Sequence, residues 1–281
     1  MKLFVRLAVL LLAFCAVAHA AIAVVQVGSV GHFNGSSLTA QSVLSGVTAG
    51  NTIISCVNHE DFGSTAPAIS VSDGVSYTAD EAFQLSSAYD SGIYRSSSVT
   101  AGTHTVVATA SSGTTGNSFG SVVAVEISGL AASPVDQAAV GHNIASTTPS
   151  VGPTSVLAQA NELLIVCYVA NGVTTGITWP PTGGPGTFTT IDNSLSTNDS
   201  ASAQQIQTSG TSAVTVSAGT TPTRGWVMPL VTYKAAASGN NGAMMMRGIG
   251  ANRPRKDHRP LLADNDDYFH QRLDGRLKEA E

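Results

Sequence analysis

The densest set of side chains able to do chemistry is His59-Glu60-Asp61, an imidazole and two carboxylates in consecutive positions. These residue types suit a hard or borderline metal ion. Three neighbours on one loop rarely converge on a single ion, however, so the expectation is a solvated turn with no metal. The Asp192 to Asp199 stretch lacks the Asp-x-Asx-x-Asx-Gly spacing of a calcium loop. Gly116-Asn117-Ser118-Phe119-Gly120 has the Gly-x-Ser-x-Gly outline of a hydrolase elbow. That elbow needs a strand before the serine and a helix after it. Here Val122 to Ile127 follows and reads as a strand, so no catalytic residue is assigned. Trp179, beside Pro180-Pro181, suits either an aromatic platform for stacking sugars or a core position closing one end of a sandwich. The candidate binding residues are therefore Trp179, His59, Glu60 and Asp61, with no cofactor.

The elements that must position these residues are organised by a repeat. Val30-Gly31-His32 recurs as Val140-Gly141-His142. Gly50 to Cys56 answers Asn161 to Cys167, with the cysteines aligned at an offset of 111. Tyr77-Thr78 matches Phe188-Thr189, Gly102-Thr103 matches Gly210-Thr211, and the strand after Gly120 matches the one after Gly225. Five matches in one order indicate an internal duplication. Each copy has the size of an immunoglobulin-like or jelly-roll sandwich. The apolar runs Ile53 to Val57 and Leu163 to Ala170 read as central strands buried on both faces. Alternating runs such as Thr103 to Ala108 and Ala213 to Ser217 read as strands with one wet face. The predicted fold is all-β: two tandem antiparallel sandwiches over 21–133 and 134–238, with a seam near Ser128 to Pro134.

The repeat also bears on the histidines and cysteines. His32 and His142 sit at matching places, which points to scaffold. If each copy holds its own core, Cys56 and Cys167 lie too far apart to bridge; halves folded about a pseudo-twofold could bring them together. The expectation is the first arrangement, with both cysteines free and buried and no disulfide.

Both ends of the chain differ from the body. Lys2 and Arg6, an apolar run from Leu7 to Val17 and Ala18-His19-Ala20 have the three parts of a signal peptide, predicted over 1–20. Its apolar run is too short for a membrane span, so no anchor is expected after cleavage. Beyond Ser238 the chain carries eight basic and seven acidic residues. This 239–281 segment reads as a flexible charged tail, with a short helix in which Phe269, Leu273 and Leu277 recur every four residues. The body between holds three cations, Arg95, Arg224 and Lys234, against eleven acids. So acidic a body cannot neutralise a phosphate backbone, which argues against nucleic acid as a partner.

Val123 to Leu130 followed by Ser133-Pro134-Val135-Asp136, together with Ser70-Val71-Ser72-Asp73-Gly74 ahead of Tyr77-Thr78, resembles uncharacterised exported bacterial and phage-associated proteins. The resemblance covers about Val24 to Ala236 and implies tandem sandwiches without an assigned reaction. The function expected is non-catalytic: surface adhesion or extracellular binding of a glycan or protein surface, by a secreted, cell-surface or periplasmic protein. The alternatives are a structural or virion-associated component docking through its tail, and a secreted polysaccharide hydrolase with two opposed carboxylates.

Overall fold

Short runs of β-branched and small residues between Gly-, Ser- and Asn-rich turns favour strands over helices, and strands dominate the structure. The computed structural model describes residues 21–35, 37–61, 68–85, 89–111, 118–172, 175–178, 188–195, 200–207 and 210–237. The predicted export signal, Trp179 and the charged tail lie outside them. The fold is all-β, with several antiparallel sheets and no barrel. No helix among the described residues is long and apolar enough to cross a membrane.

The first half contains β1 (Ala23–Val27), β2 (Gly31–Gly35), β3 (Thr39–Val47), β4 (Thr52–Asp61), β5 (Ile69–Ser72), β6 (Thr78–Leu85), β7 (Tyr89–Ser96), β8 (Gly102–Ala110) and β9 (Ser118–Ser128). The second contains β10 (Leu130–Ser146), β11 (Ser150–Val151), β12 (Glu162–Ala170), β13 (Thr175–Thr178), β14 (Thr189–Asn193), β15 (Ser200–Gln207), β16 (Val216–Ser217), β17 (Gly219–Thr221) and β18 (Arg224–Ala235). The sheet order β1-β9-β4-β7-β6 is matched place for place by β10-β18-β12-β15-β14. Against the first of these sheets packs β3-β8-β5; in the second half the short pairs β11-β16 and β13-β17 complete the set. Gly129 alone separates β9 from β10. Its φ of +79°, and the carbonyl oxygen of Ala21 lying 2.2 Å from where a Cβ would stand, leave no place for a side chain.

The three largest apolar clusters among the described residues follow from the period of two along the central strands. Ile53 and Val57 of β4 enter the first sandwich with Phe33, Leu44, Val106 and Val122. Leu164, Val166 and Tyr168 of β12 enter the second with Val214, Met228 and Leu230. The intervening residues, Ile54 and Cys56 on β4 and Leu163, Ile165 and Cys167 on β12, meet in a third core between the two large sheets. Both strands are buried along their whole length, as their apolar runs suggested.

This shared core overturns the expectation of free thiols. Cys56 and Cys167 form a disulfide, with Cα atoms 5.9 Å apart. The prediction assumed separate cores; the large sheets instead pack face to face, which brings the aligned cysteines together. The halves are further tied where Tyr233 Oη donates to Asp80 Oδ2 at 2.9 Å, beside the Arg95–Asp80 ion pair.

The glycine of each Val-Gly-His triplet has a packing role. A Cβ at Gly31 would overlap the carbonyl of Gln41, and one at Gly141 the carbonyl of Ser150. The histidine after each glycine lies on an outer strand beside the shared interface. His32 is the register partner of Ser121, and His142 stacks on Phe83 of the other half, ring centroids 4.5 Å apart.

Candidate functional site

His59, Glu60 and Asp61 are the last residues of β4, and all three are buried, so the expected solvated turn is corrected. The reason is position. β4 is central in its own sheet and covered on both faces, so even its polar end is enclosed. Alternation then splits the triplet: Glu60 faces the second half, while His59 and Asp61 face the interior of the first sandwich.

Glu60 accepts hydrogen bonds from the backbone N–H of Gly172, to Oε1 at 3.1 Å and Oε2 at 3.4 Å. Nearby, Asn171 Nδ2 donates to the Tyr89 hydroxyl. Glu60 is therefore part of the joint between halves. At the end of the first sandwich, His59 Nε2 and Ser118 Oγ are 2.8 Å apart, and the Phe33 ring meets the imidazole edge to face at 4.7 Å. Asp90 is the register partner of His59 on β7. Ser118 is the serine of the Gly-x-Ser-x-Gly stretch, and it opens β9 as the apolar run after it implied. Gly116 and Asn117 lie outside the described residues.

Burial reverses the usual titration order at this site. Desolvation pulls His59 down to about 4, although the Asp61 charge acts in the opposite direction. Desolvation pushes Asp90 up to about 7. At pH 5.5 the imidazole is neutral and the Asp90 carboxyl protonated, the reverse of their states in water. Such inverted pairs mark proton-handling sites in many enzymes. His59 and Ser118 also stand at the distance of a base and a nucleophile. Three features argue against that chemistry. No described carboxylate bonds His59 Nδ1 to orient the ring, Ser118 sits in a regular strand, and both side chains are closed to solvent. Among the described residues, no group of three or more His, Cys, Asp and Glu side chains is placed to hold a metal ion.

Two further polar clusters were not found from sequence. Ser121 Oγ donates to Asp192 Oδ2 at 2.5 Å and accepts from Ser200 Oγ at 2.7 Å, while Ser194 Oγ donates to Asp192 Oδ1 at 2.6 Å. This chain crosses between the halves, and burial raises Asp192 against the pull of its donors and of His32. Asp192, seen in sequence as part of a poor calcium loop, is thus an interface residue. The second cluster is an acid pair. Glu162 opens β12 and is buried, and burial first, then the charge of Asp136 on β10, pushes its carboxyl up to about 7. Isolated serines and acids in a Ser-rich chain carry no sequence signal of such convergence, because it depends on strand register and on the packing of the halves.

The side chains singled out from sequence are thus divided among three places: His59 and Asp61 inside the first sandwich, Glu60 and Asp192 in the joint, and Trp179 outside the described residues. When the chain is compared with protein-family models, curated proteins and solved structures, none matches.

Proposed function

We propose that this is an exported, non-catalytic protein that uses a rigid double β-sandwich for adhesion or binding outside the cytoplasm, with glycans or protein surfaces as partners. The observation that carries this reading is the Cys56–Cys167 bond inside the shared core. Such bonds persist in secreted and periplasmic proteins and are rare where thiols are kept reduced, which agrees with the signal-like first twenty residues. A covalently joined pair of sandwiches also suits a part that must bear load or hold a surface in place. The burial of His59, Ser118, Asp90 and Glu60, each engaged in packing or hydrogen bonding within the fold, supports a structural use of these groups. The matching strand orders support descent of the halves from one duplicated unit.

The test is to express the full chain with its own N-terminus and fractionate the cells. Export predicts a shortened chain, beginning near Ala21, outside the cytoplasm, and no free thiol when it is denatured without reductant. A full-length cytoplasmic chain with titratable thiols would sink the reading. Glycan and matrix-protein arrays probed with the exported material then test binding: signal above background on either supports it, and silence on both refutes the adhesive part.

A further inference from the structure

The two Val-Gly-His triplets put the same strand crossing into both halves, but the first half leaves it open. At Gly31 of β2 a Cβ would stand 1.9 Å from the carbonyl oxygen of Gln41, and at Gly141 of β10 one would stand 2.0 Å from that of Ser150. Each glycine thus lets its strand cross closely over the next. The ladders behind the crossings correspond as well: Gln41 of β3 is opposite Val107 of β8, and Ser150 of β11 is opposite Ser217 of β16. In the second half the side chains at this address are spent within the fold. Ser150 Oγ and Ser217 Oγ share a hydrogen bond at 3.0 Å, and the His142 ring lies against Phe83.

In the first half the same positions surround an open hollow of about 360 Å³, lined by Gly31, His32, Thr39, Ala40, Gln41 and Val107. Sites for small ligands run from about 300 to 1,000 Å³, so the hollow suits a short ligand. Its frame is fixed. The Ser29 N–H donates to the Val43 carbonyl at 3.1 Å and Ser29 Oγ accepts from the Val43 N–H at 3.0 Å, which staples the entry to β2 onto β3. Ser37 Oγ donates to the Thr39 carbonyl at 2.8 Å and accepts from the Thr39 N–H at 3.3 Å, holding the start of β3. The polar side chains on that frame are uncommitted. His32, Thr39 and Gln41 are exposed and, among the described residues, none of the three side chains has a hydrogen-bond partner.

An imidazole, a hydroxyl and a carboxamide each donate and accept hydrogen bonds, which is what the hydroxyls of a sugar require. The imidazole ring and the half-buried Val107 add apolar surface for the C–H face of a sugar ring. Among the described residues the lining holds no carboxylate, lysine or arginine. An anionic ligand therefore meets no fixed opposite charge there, and a calcium or magnesium ion meets no carboxylate. We propose that this hollow binds a neutral saccharide, with His32, Thr39 and Gln41 bonding its hydroxyls and Val107 beneath its ring. The proposal rests on the glycan-binding part of the reading above and assigns that binding a place.

The test titrates the full chain with neutral trisaccharides (cellotriose, chitotriose, maltotriose and mannotriose) and with tri-galacturonate, following backbone amides by NMR. At least one neutral trisaccharide should saturably shift the amides of His32, Gln41 and Val107, while those of His142, Ser150 and Ser217 stay in place. Gln41→Ala and Thr39→Ala each replace an exposed side chain, and each should weaken that binding about tenfold with the unfolding midpoint unchanged. Ser150→Ala should leave the binding as it is. Saturable binding that shifts other amides and survives both substitutions overturns the site, yet leaves the glycan-binding reading standing. Tighter binding of tri-galacturonate than of every neutral trisaccharide overturns the neutral assignment. No shift with any of the five overturns the site, and the glycan arm of the reading falls with it only if the glycan array is silent too.

Discussion

Two polar knots at the sheet bases, around Glu126 of β9 and Glu162 of β12, share a backbone frame and differ in their charge accounting. Glu126 is opposite Ile53 as Thr232 of β18 is opposite Leu164. Around Glu126 three donors, one from β1 and two from the turn between β3 and β4, converge on one carboxylate; burial pushes its pKa up, the donors outweigh burial, and the net shift is downward. Around Glu162 a threonine, Thr232, replaces the central acid, an acid replaces the amide of Asn51, and the balance tips upward. Strand order is indifferent to this exchange, because either set satisfies the backbone groups at the sheet base. What differs is the pH range in which each half is firmest. The first half weakens as acid protonates Glu126, and the second as rising pH removes the proton that burial keeps on Glu162.

The comparison breaks most completely when the halves are no longer joined. Cys56→Ala with Cys167→Ala removes a link spanning 111 residues and should cost about 3–5 kcal/mol in denaturant unfolding. If the shared core suffices to join the halves, one cooperative transition remains; two transitions would mean that the bond holds together otherwise separable sandwiches. A matched pair comes next. Gly31→Ala and Gly141→Ala each push a methyl into a backbone carbonyl, of Gln41 and Ser150, and each should lose about 3 kcal/mol. Equal losses uphold the structural equivalence of the triplets; a loss in one alone shows that the other strand crossing is free to relax.

The knots themselves give the third test. Glu126→Ala strands three donors and should cost about 2–3 kcal/mol at pH 7, against about 1 kcal/mol for Thr232→Val. Glu126→Gln should also flatten the loss of stability on the acid side, leaving the neutral range to Glu162 and the other raised groups. If both substitutions cost the same and neither alters the pH profile, the contrast between the halves is one of sequence only.

Much of the frame was legible in the chain. The apolar runs of β4 and β12 announced strands with no wet face, and the aligned triplets and cysteines announced corresponding halves. The partner of those buried faces was not legible. Period two says that Cys56 and Ile54 face away from Ile53 and Val57, but not that they face Cys167 and Ile165. The disulfide was missed for that reason, and so were the crossing bonds of Ser121, Asp192 and Glu60. His59 to Asp61 were read as a turn because polar residues usually end a strand in water. Here the second half covers that end, and Ser118 and Gly172 supply partners. The Val-Ser-Asp turn ahead of Tyr77-Thr78 was visible as a motif, but what Asp73 holds was not.

That turn carries the smallest contrast, because its histidine has no counterpart: the second half has Ser212 where the first has His104. His104 Nδ1 bonds Asp73, and Nε2 lies 2.9 Å from the carbonyl oxygen of Thr100. Both partners are acceptors, so both ring nitrogens must donate, which only the imidazolium can do. Burial opposes that charge, but the bonds to Asp73 and Thr100 prevail and raise the pKa. Asp73 Oδ2 also takes the Tyr77 hydroxyl at 3.2 Å, so one carboxylate joins two turns. A group raised in the folded state stabilises fully below its unfolded value, about 6.5, and less as pH climbs through the folded one. His104→Gln should therefore cost about 1 kcal/mol at pH 6 and clearly less at pH 9. A cost unchanged across that range would mean that shape rather than charge holds the turn, and the first sandwich would then need no cation that the second lacks.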